Sequence, residues 1–234
     1  MKFILMILVL VSACSTKKET IKKEAPTPLK REVIFIEETI RPGDIKFVKL
    51  SSVDNVSFNC RGKEQNVSQH ENQSIGVVIE TYFTDFKPFQ CEVRVKGELS
   101  AVYTFNVEER KFSEETLRVS PRTIQLSKAD QDRVWREQQV LNKLYASSLP
   151  QLLIKEPFMA PLDSKITSIY GVRRLYNNVK RGQHLGTDFR APIGVSIPAT
   201  NRGKVVLARN LFYTGYTVIL DHGLDIFTVY GHLS

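Results

Sequence analysis

From residue 33 to residue 107 the chain alternates short apolar stretches with turn-forming residues, and no other feature limits the fold as much. Val33-Ile34-Phe35-Ile36 opens the series, and Arg41-Pro42-Gly43-Asp44 has the composition of a turn. Apolar stretches follow at 45–50, 53–60, 75–83, 89–95 and 101–107. Several alternate strictly, as at Cys91, Val93 and Val95, or at Tyr103, Phe105 and Val107. A two-residue period puts one side of each strand into a core and the other into solvent. Strands of this length and spacing predict a small antiparallel β-sandwich. Nothing in this stretch has catalytic spacing, and His70, inside the polar run 65–74, reads as a solvated loop residue.

The rhythm breaks at residues 127–145. Ser127 with Asp130 three positions on resembles a helix-capping box, and Val134, Gln138, Leu141 and Tyr145 fall on one helical face beside Leu144. One helix is therefore expected over 127–146. Leu149-Pro150 ends it, and Pro157 and Pro161 bracket an extended linker, which places a domain boundary near 150–157.

Beyond Pro157 short strands return, punctuated by eight glycines between 171 and 231. Residues 205–208, 217–220 and 226–230 read as strands, with 221–225 as the hairpin between the last two. The whole chain carries 33 Lys and Arg against 25 Asp and Glu, a formal +8. Nine basic and four acidic residues after Pro157 give that third +5 of the excess. Such a charge favours an anionic partner, although nothing points to nucleic acid. No apolar run reaches the roughly 18 residues that a membrane-spanning helix needs.

Three of the four histidines, His184, His222 and His232, lie in this last third. The constellation with most chemistry is His184-Leu185-Gly186-Thr187-Asp188, since imidazole and carboxylate are both ordinary zinc ligands. Along an extended strand, residues four apart are about 13 Å apart, too far to share one ion. A bend is required, and Gly186 can supply it. His222, in the hairpin, reads as structural, and Asp221 and Asp225 as turn residues.

The motifs around this pair occur in a recognisable order. Ser168-Ile169-Tyr170-Gly171-Val172-Arg173-Arg174, Gly182-Gln183-His184-Leu185-Gly186-Thr187-Asp188-Phe189, Pro192-Ile193-Gly194-Val195, Gly203-Lys204-Val205-Val206, Val218-Ile219-Leu220-Asp221-His222-Gly223 and Tyr230-Gly231-His232-Leu233-Ser234 together resemble the LytM/lysostaphin-type zinc endopeptidases of bacterial cell walls. The likeness runs over 157–234, and the order of leader, helix and peptidase segment looks like Gram-negative members. It implies one Zn2+ held by His184, by Asp188 and by the second His of a later HxH motif, with His232 catalytic. Arg173 and Arg174 are candidate contacts for anionic peptide stems, with a solvated basic edge as the alternative, and the implied substrate is the peptide cross-link of peptidoglycan.

The 234 residues contain no HxH. Two protein ligands hold zinc far less tightly than three, so the chain as written is expected to be inactive and to be a C-terminally truncated form of an active enzyme. Two other classes compete: a non-catalytic peptidoglycan-binding or amidase-activating lipoprotein, and a structural lipoprotein. The retained His184, Asp188 and His232 argue against the first, and the ordered motif series against the second.

At the N-terminus, Lys2 precedes the apolar run 3–11, and Val11-Ser12-Ala13-Cys14 follows. These are the parts of a secretory signal, and a cysteine directly after small residues resembles the lipobox of bacterial lipoproteins. That resemblance implies cleavage before Cys14, lipid on Cys14, and a membrane contact through the anchor alone. Ser15, in place of Asp, leans the expected location toward the outer membrane, facing the periplasm. Residues 14–32, charged and carrying two prolines, read as a tether. Cys60 and Cys91 then remain as a pair in an oxidising compartment, either bridged or as two buried thiols.

The expected fold is thus mostly β. Signal peptide (1–13) and tether (14–32) precede a β-sandwich-like domain (33–110). A linker (111–156) carries the helix, and an incomplete antiparallel peptidase sheet occupies 157–234.

Overall fold

Alternating side chains at 89–107 build the first layer. The structure is a computed structural model that describes residues 32–50, 55–70, 72–80 and 86–234. The candidate signal, Cys14 and all but the last residue of the tether lie outside them. Strands β1 (Ile34–Ile40), β2 (Ile45–Leu50), β3 (Val56–Cys60), β4 (Lys63–Gln65), β5 (Val67–His70), β6 (Gln73–Ile79), β7 (Phe89–Val95) and β8 (Glu98–Val107) form two sheets. One has the order β1-β8-β7-β3-β4 and the other β2-β6-β5. Their facing sides meet in a core of Ile40, Val48, Leu50, Phe58, Cys60, Val78, Cys91, Val93, Ala101 and Phe105. Cys60 and Cys91 stand directly opposite each other on β3 and β7 and are joined in a disulfide with Cα atoms 4.1 Å apart.

Two details differ from the sequence pattern. β1 runs parallel to β8, with Ile34 opposite Ala101, whereas every other pairing in the two sheets is antiparallel. His70 is the last residue of β5, not part of a loop: the polar run 65–74 folds back on β6, pairing His70 with Gln73. Polar residues disguise this strand because one of its buried side chains is Ser68, whose hydroxyl accepts from the Leu152 N–H.

Between the sandwich and the last third run β9 (Glu114–Leu117), the single turn α1 (Pro121–Ile124) and the helix α2 (Lys128–Tyr145). Ser127 caps α2, its Oγ accepting from the Asp130 N–H at 3.2 Å and donating to the Asp130 carboxylate at 2.7 Å. Leu141 and Leu144 pack on Leu207, Leu211 and Ile219, and the Tyr145 ring meets Phe227 edge-on at 5.0 Å. Among the described residues no helix is long and apolar enough to cross a membrane.

The last third consists of β10 (Ile166–Ser168), β11 (Arg173–Tyr176), β12 (Lys180–Gln183), β13 (Asp188–Phe189), β14 (Lys204–Leu211), β15 (Gly215–Asp221) and β16 (Phe227–Leu233). They form the sheets β10-β13, β12-β11-β9 and β14-β15-β16, so the linker strand β9 completes a sheet of the C-terminal part. Strand β6 is buried on both sides. Val78 faces the sandwich core, while Ile75 and Val77 pack with Leu224, Ile226, Leu152 and Ile154. Residues 149–154 are strapped there by hydrogen bonds from the Leu152 N–H to Ser68, from the Leu153 N–H to the His222 carbonyl and from the Leu224 N–H to the Leu149 carbonyl, all within 2.9 Å. Gly223 makes this approach feasible: φ is +86°, and a Cβ there would lie 1.9 Å from the Gln151 carbonyl oxygen.

Candidate metal centre

His184 follows the last residue of β12, and Asp188 opens β13 after a bend at Gly186. The backbone fixes both. The His184 N–H donates to the Val172 carbonyl at 2.9 Å, and the Gly171 N–H donates to the His184 carbonyl at 2.7 Å. Gly171 has φ +90°, and the Phe112 ring occupies the space a Cβ would need, 2.0 Å away. Asp188 is held opposite Ser168 in the β10–β13 ladder. The bend brings His184 Nε2 to 3.1 Å from Asp188 Oδ1, instead of the 13 Å or so of a straight strand.

The hydrogen bonds determine what this contact can be. Nδ1 of His184 lies 2.9 Å from the Ile169 carbonyl, which can only accept, so Nδ1 carries a proton. The Ser168 hydroxyl lies 3.1 Å from the same nitrogen. In neutral His184, Nε2 then presents a lone pair to a carboxylate oxygen that also presents one. Two lone pairs this close need a cation between them, a proton or a metal ion. Two ligands about 2.0–2.1 Å from a tetrahedral zinc are separated by about 3.3 Å, close to the separation found. The imidazole is 12% exposed and the carboxylate 46%, so the pair is anchored on one side and open on the other. Its donor set therefore fits zinc. Among the described residues no third His, Cys, Asp or Glu completes a group around them.

Arg174 binds this pair to its surroundings. Its guanidinium donates to Glu115 at 2.6 Å and to the Ser168 hydroxyl at 2.9 Å, and lies 3.9 Å from Asp188 Oδ2. Burial works against its charge, but Glu115 and Tyr176 outweigh burial and raise its pKa. Arg173, one residue earlier, points to the other side of the strand, is exposed, and lies 3.5 Å from Glu114. Ser168 and Glu115 were not singled out from the sequence. The available signal was the match of Glu114-Glu115 to Arg173-Arg174, two opposite-charge pairs some 60 residues apart.

His232 lies in β16, with φ +57° and its N–H donating to the Thr214 carbonyl at 2.7 Å. A register shift between Tyr216 and Val218 on β15 accommodates this turn of the backbone. The His232 side chain is exposed and, among the described residues, has no hydrogen-bond or ion-pair partner. His222 is fully buried, bonded to the Arg202 carbonyl and to the Thr228 hydroxyl, and packs edge-on to Phe158. It is a structural histidine.

Residues 182–234 match the model of "Peptidase family M23". The C-terminal part of the chain is therefore similar to a segment of that family. Over 77 residues the chain is 44% identical to the Peptidoglycan DD-endopeptidase ShyA of Vibrio cholerae, a match covering 32% of this chain and 18% of that relative. The chain thus spans less than a fifth of the length of the curated relative it matches. Its fold is similar to the crystal structure of a candidate peptidase M23 from Pseudomonas aeruginosa. That similarity has a TM-score of 0.61 and 25% identity, and covers 82% of this chain and 73% of the other.

Proposed function

We propose that the protein is a zinc-dependent endopeptidase that cleaves peptide cross-links of bacterial peptidoglycan. The observation that carries this reading is the contact between His184 Nε2 and Asp188 Oδ1, with Nδ1 of the same ring committed to a carbonyl. The likeness of the C-terminal segment to family M23, and to a relative named as a peptidoglycan endopeptidase, supplies the substrate class.

His184 and Asp188 would be two of the metal ligands. A bound zinc polarises a scissile carbonyl and lowers the pKa of its water. The rest falls to the chain's own side chains. Ser168 and the Ile169 carbonyl keep the His184 proton on Nδ1, leaving Nε2 free to ligate. His232, reaching solvent from a left-handed backbone position, is assigned to orienting the attacking water or donating to the developing oxyanion. Arg173, exposed on β11, is offered to a stem carboxylate. Lipid on Cys14 would anchor the protein in the cell envelope, facing the periplasm and held at the outer membrane.

The test uses the protein as its host makes it, incubated with purified sacculi, with the released muropeptides separated by chromatography. Wild type is expected to convert cross-linked dimers to monomers, and His184→Ala and Asp188→Ala to leave them intact. Full activity in His184→Ala would remove the metal pair from the mechanism. Binding to sacculi without cleavage by wild type would favour a non-catalytic peptidoglycan-binding lipoprotein.

A further inference from the structure

The carboxylate nearest Arg174 comes from far away in sequence. Glu115 belongs to β9, ahead of both helices, and runs parallel to β11 with Glu115 opposite Arg174. The pairing is well secured. The Arg173 N–H donates to the Ser113 carbonyl at 2.8 Å, and Phe112 fills the space beside Gly171 and meets Tyr170 edge-on at 6.0 Å. From Glu115 a continuous set of contacts reaches both members of the pair. Arg174 Nε bonds Glu115, and Arg174 Nη2 bonds Ser168 while lying 3.9 Å from Asp188; Ser168 in turn touches His184 Nδ1.

We propose that Glu115 is a positioning residue for the metal pair, acting through Arg174. The proposal rests on the metal-pair reading given above. One guanidinium is divided between two carboxylates. Bonded to Glu115 at 2.6 Å, it stays 3.9 Å from Asp188 Oδ2 and leaves the carboxylate free to keep Oδ1 turned toward His184 and a metal, while its other nitrogen steadies Ser168 against His184. Without the charge on Glu115, Arg174 closes the gap to Asp188 and forms a direct ion pair that competes with the metal for the same carboxylate. Ser168 then loses its donor, and the His184 ring loses part of what holds its orientation. Both effects weaken metal binding. Family M23 is matched only from residue 182, so Ser168, Arg174 and Glu115 all lie before the matched stretch. The pair inside that stretch is held by side chains outside it.

The experiment compares wild type, Glu115→Gln, Glu115→Asp and Glu114→Gln in the full chain. Glu114 is the control, since it neighbours Glu115 but faces Arg173 on the other side of the strand. Zinc affinity is read by competition with a chromogenic chelator, and the 15N shifts of the His184 ring are recorded on metal-free protein. Outer partners of metal ligands typically contribute 10-fold to 100-fold in affinity, so Glu115→Gln is expected to lose about that factor. Glu115→Asp should recover most of it, and Glu114→Gln should match wild type. The His184 ring shifts should move in Glu115→Gln alone. Equal zinc affinity and equal ring shifts in Glu115→Gln and Glu114→Gln would overturn the proposal. If wild type bound no zinc, the metal reading would fail, and the ring shifts alone would decide whether Glu115 positions His184.

Discussion

Replacing Asp221 by asparagine should loosen the joint between α2 and the C-terminal sheet, by an amount the hydrogen bonds determine. The residue is 1% exposed. Its Oδ1 accepts from the Ser148 hydroxyl at 2.9 Å and from the Gly223 N–H at 2.8 Å, and its Oδ2 accepts from the Leu149 N–H at 2.8 Å. An amide has one oxygen. In either orientation its NH2 faces a backbone donor, so one N–H goes unsatisfied, at about 1–3 kcal/mol. The surviving bonds lose their charge assistance, while the amide avoids the cost of burying a carboxylate, and these changes partly offset each other. The net loss should be about 2–3 kcal/mol. Asp225→Asn is the comparison, since Asp225 is exposed and its carboxylate accepts from Asn66 at 3.2 Å; it should lose under about 0.5 kcal/mol. Urea unfolding followed by circular dichroism measures both, with the midpoint falling and the slope unchanged. An Asp221→Asn midpoint equal to that of Asp225→Asn would refute the argument.

Two further outcomes follow from the same reasoning. Reductant should lower wild-type stability by about 3–4 kcal/mol, from the loop entropy that the bridge across a separation of 31 residues removes, and should leave a Cys60→Ala/Cys91→Ala double variant unmoved; a shift in the double variant under reductant would contradict this. Glu137, 13% exposed, accepts from the Phe212 N–H and from Arg133, each at 2.8 Å. Burial pushes its pKa up, but these donors outweigh burial and hold it below the usual carboxylate range. A lowered folded-state pKa adds stability above the unfolded-state value and loses it as pH falls through the folded one. Glu137→Gln should therefore cost about 1 kcal/mol at neutral pH and nothing once that carboxyl is protonated; a penalty independent of pH would contradict the assignment.

The sandwich was legible because its strands alternate. Cys91, Val93 and Val95 point inward as a period of two requires, and all three are buried. The helix was legible from Ser127 and from the apolar positions Leu141 and Leu144. What the pattern hid was where strands pair over long separations. Parallel β1–β8 pairing leaves no local mark, and β9, which reads as linker, completes a sheet with β11. Ile75, Val77 and Val78 read as an ordinary strand, yet the strand is buried on both sides because the 221–226 hairpin packs on its outer face. The bend at Gly186 was legible in the HxxxD spacing, but the tautomer of His184 was not, since it depends on the Ile169 carbonyl beside Nδ1. Arg173 and Arg174 looked equivalent in sequence; alternation along β11 sends only Arg174 to the pair.

The most direct test is anomalous X-ray diffraction at the zinc edge from crystals of the protein grown with zinc. A peak about 2.0–2.2 Å from both His184 Nε2 and Asp188 Oδ1 is the predicted result. A peak at Nδ1, a peak away from the pair, or none at all would contradict it.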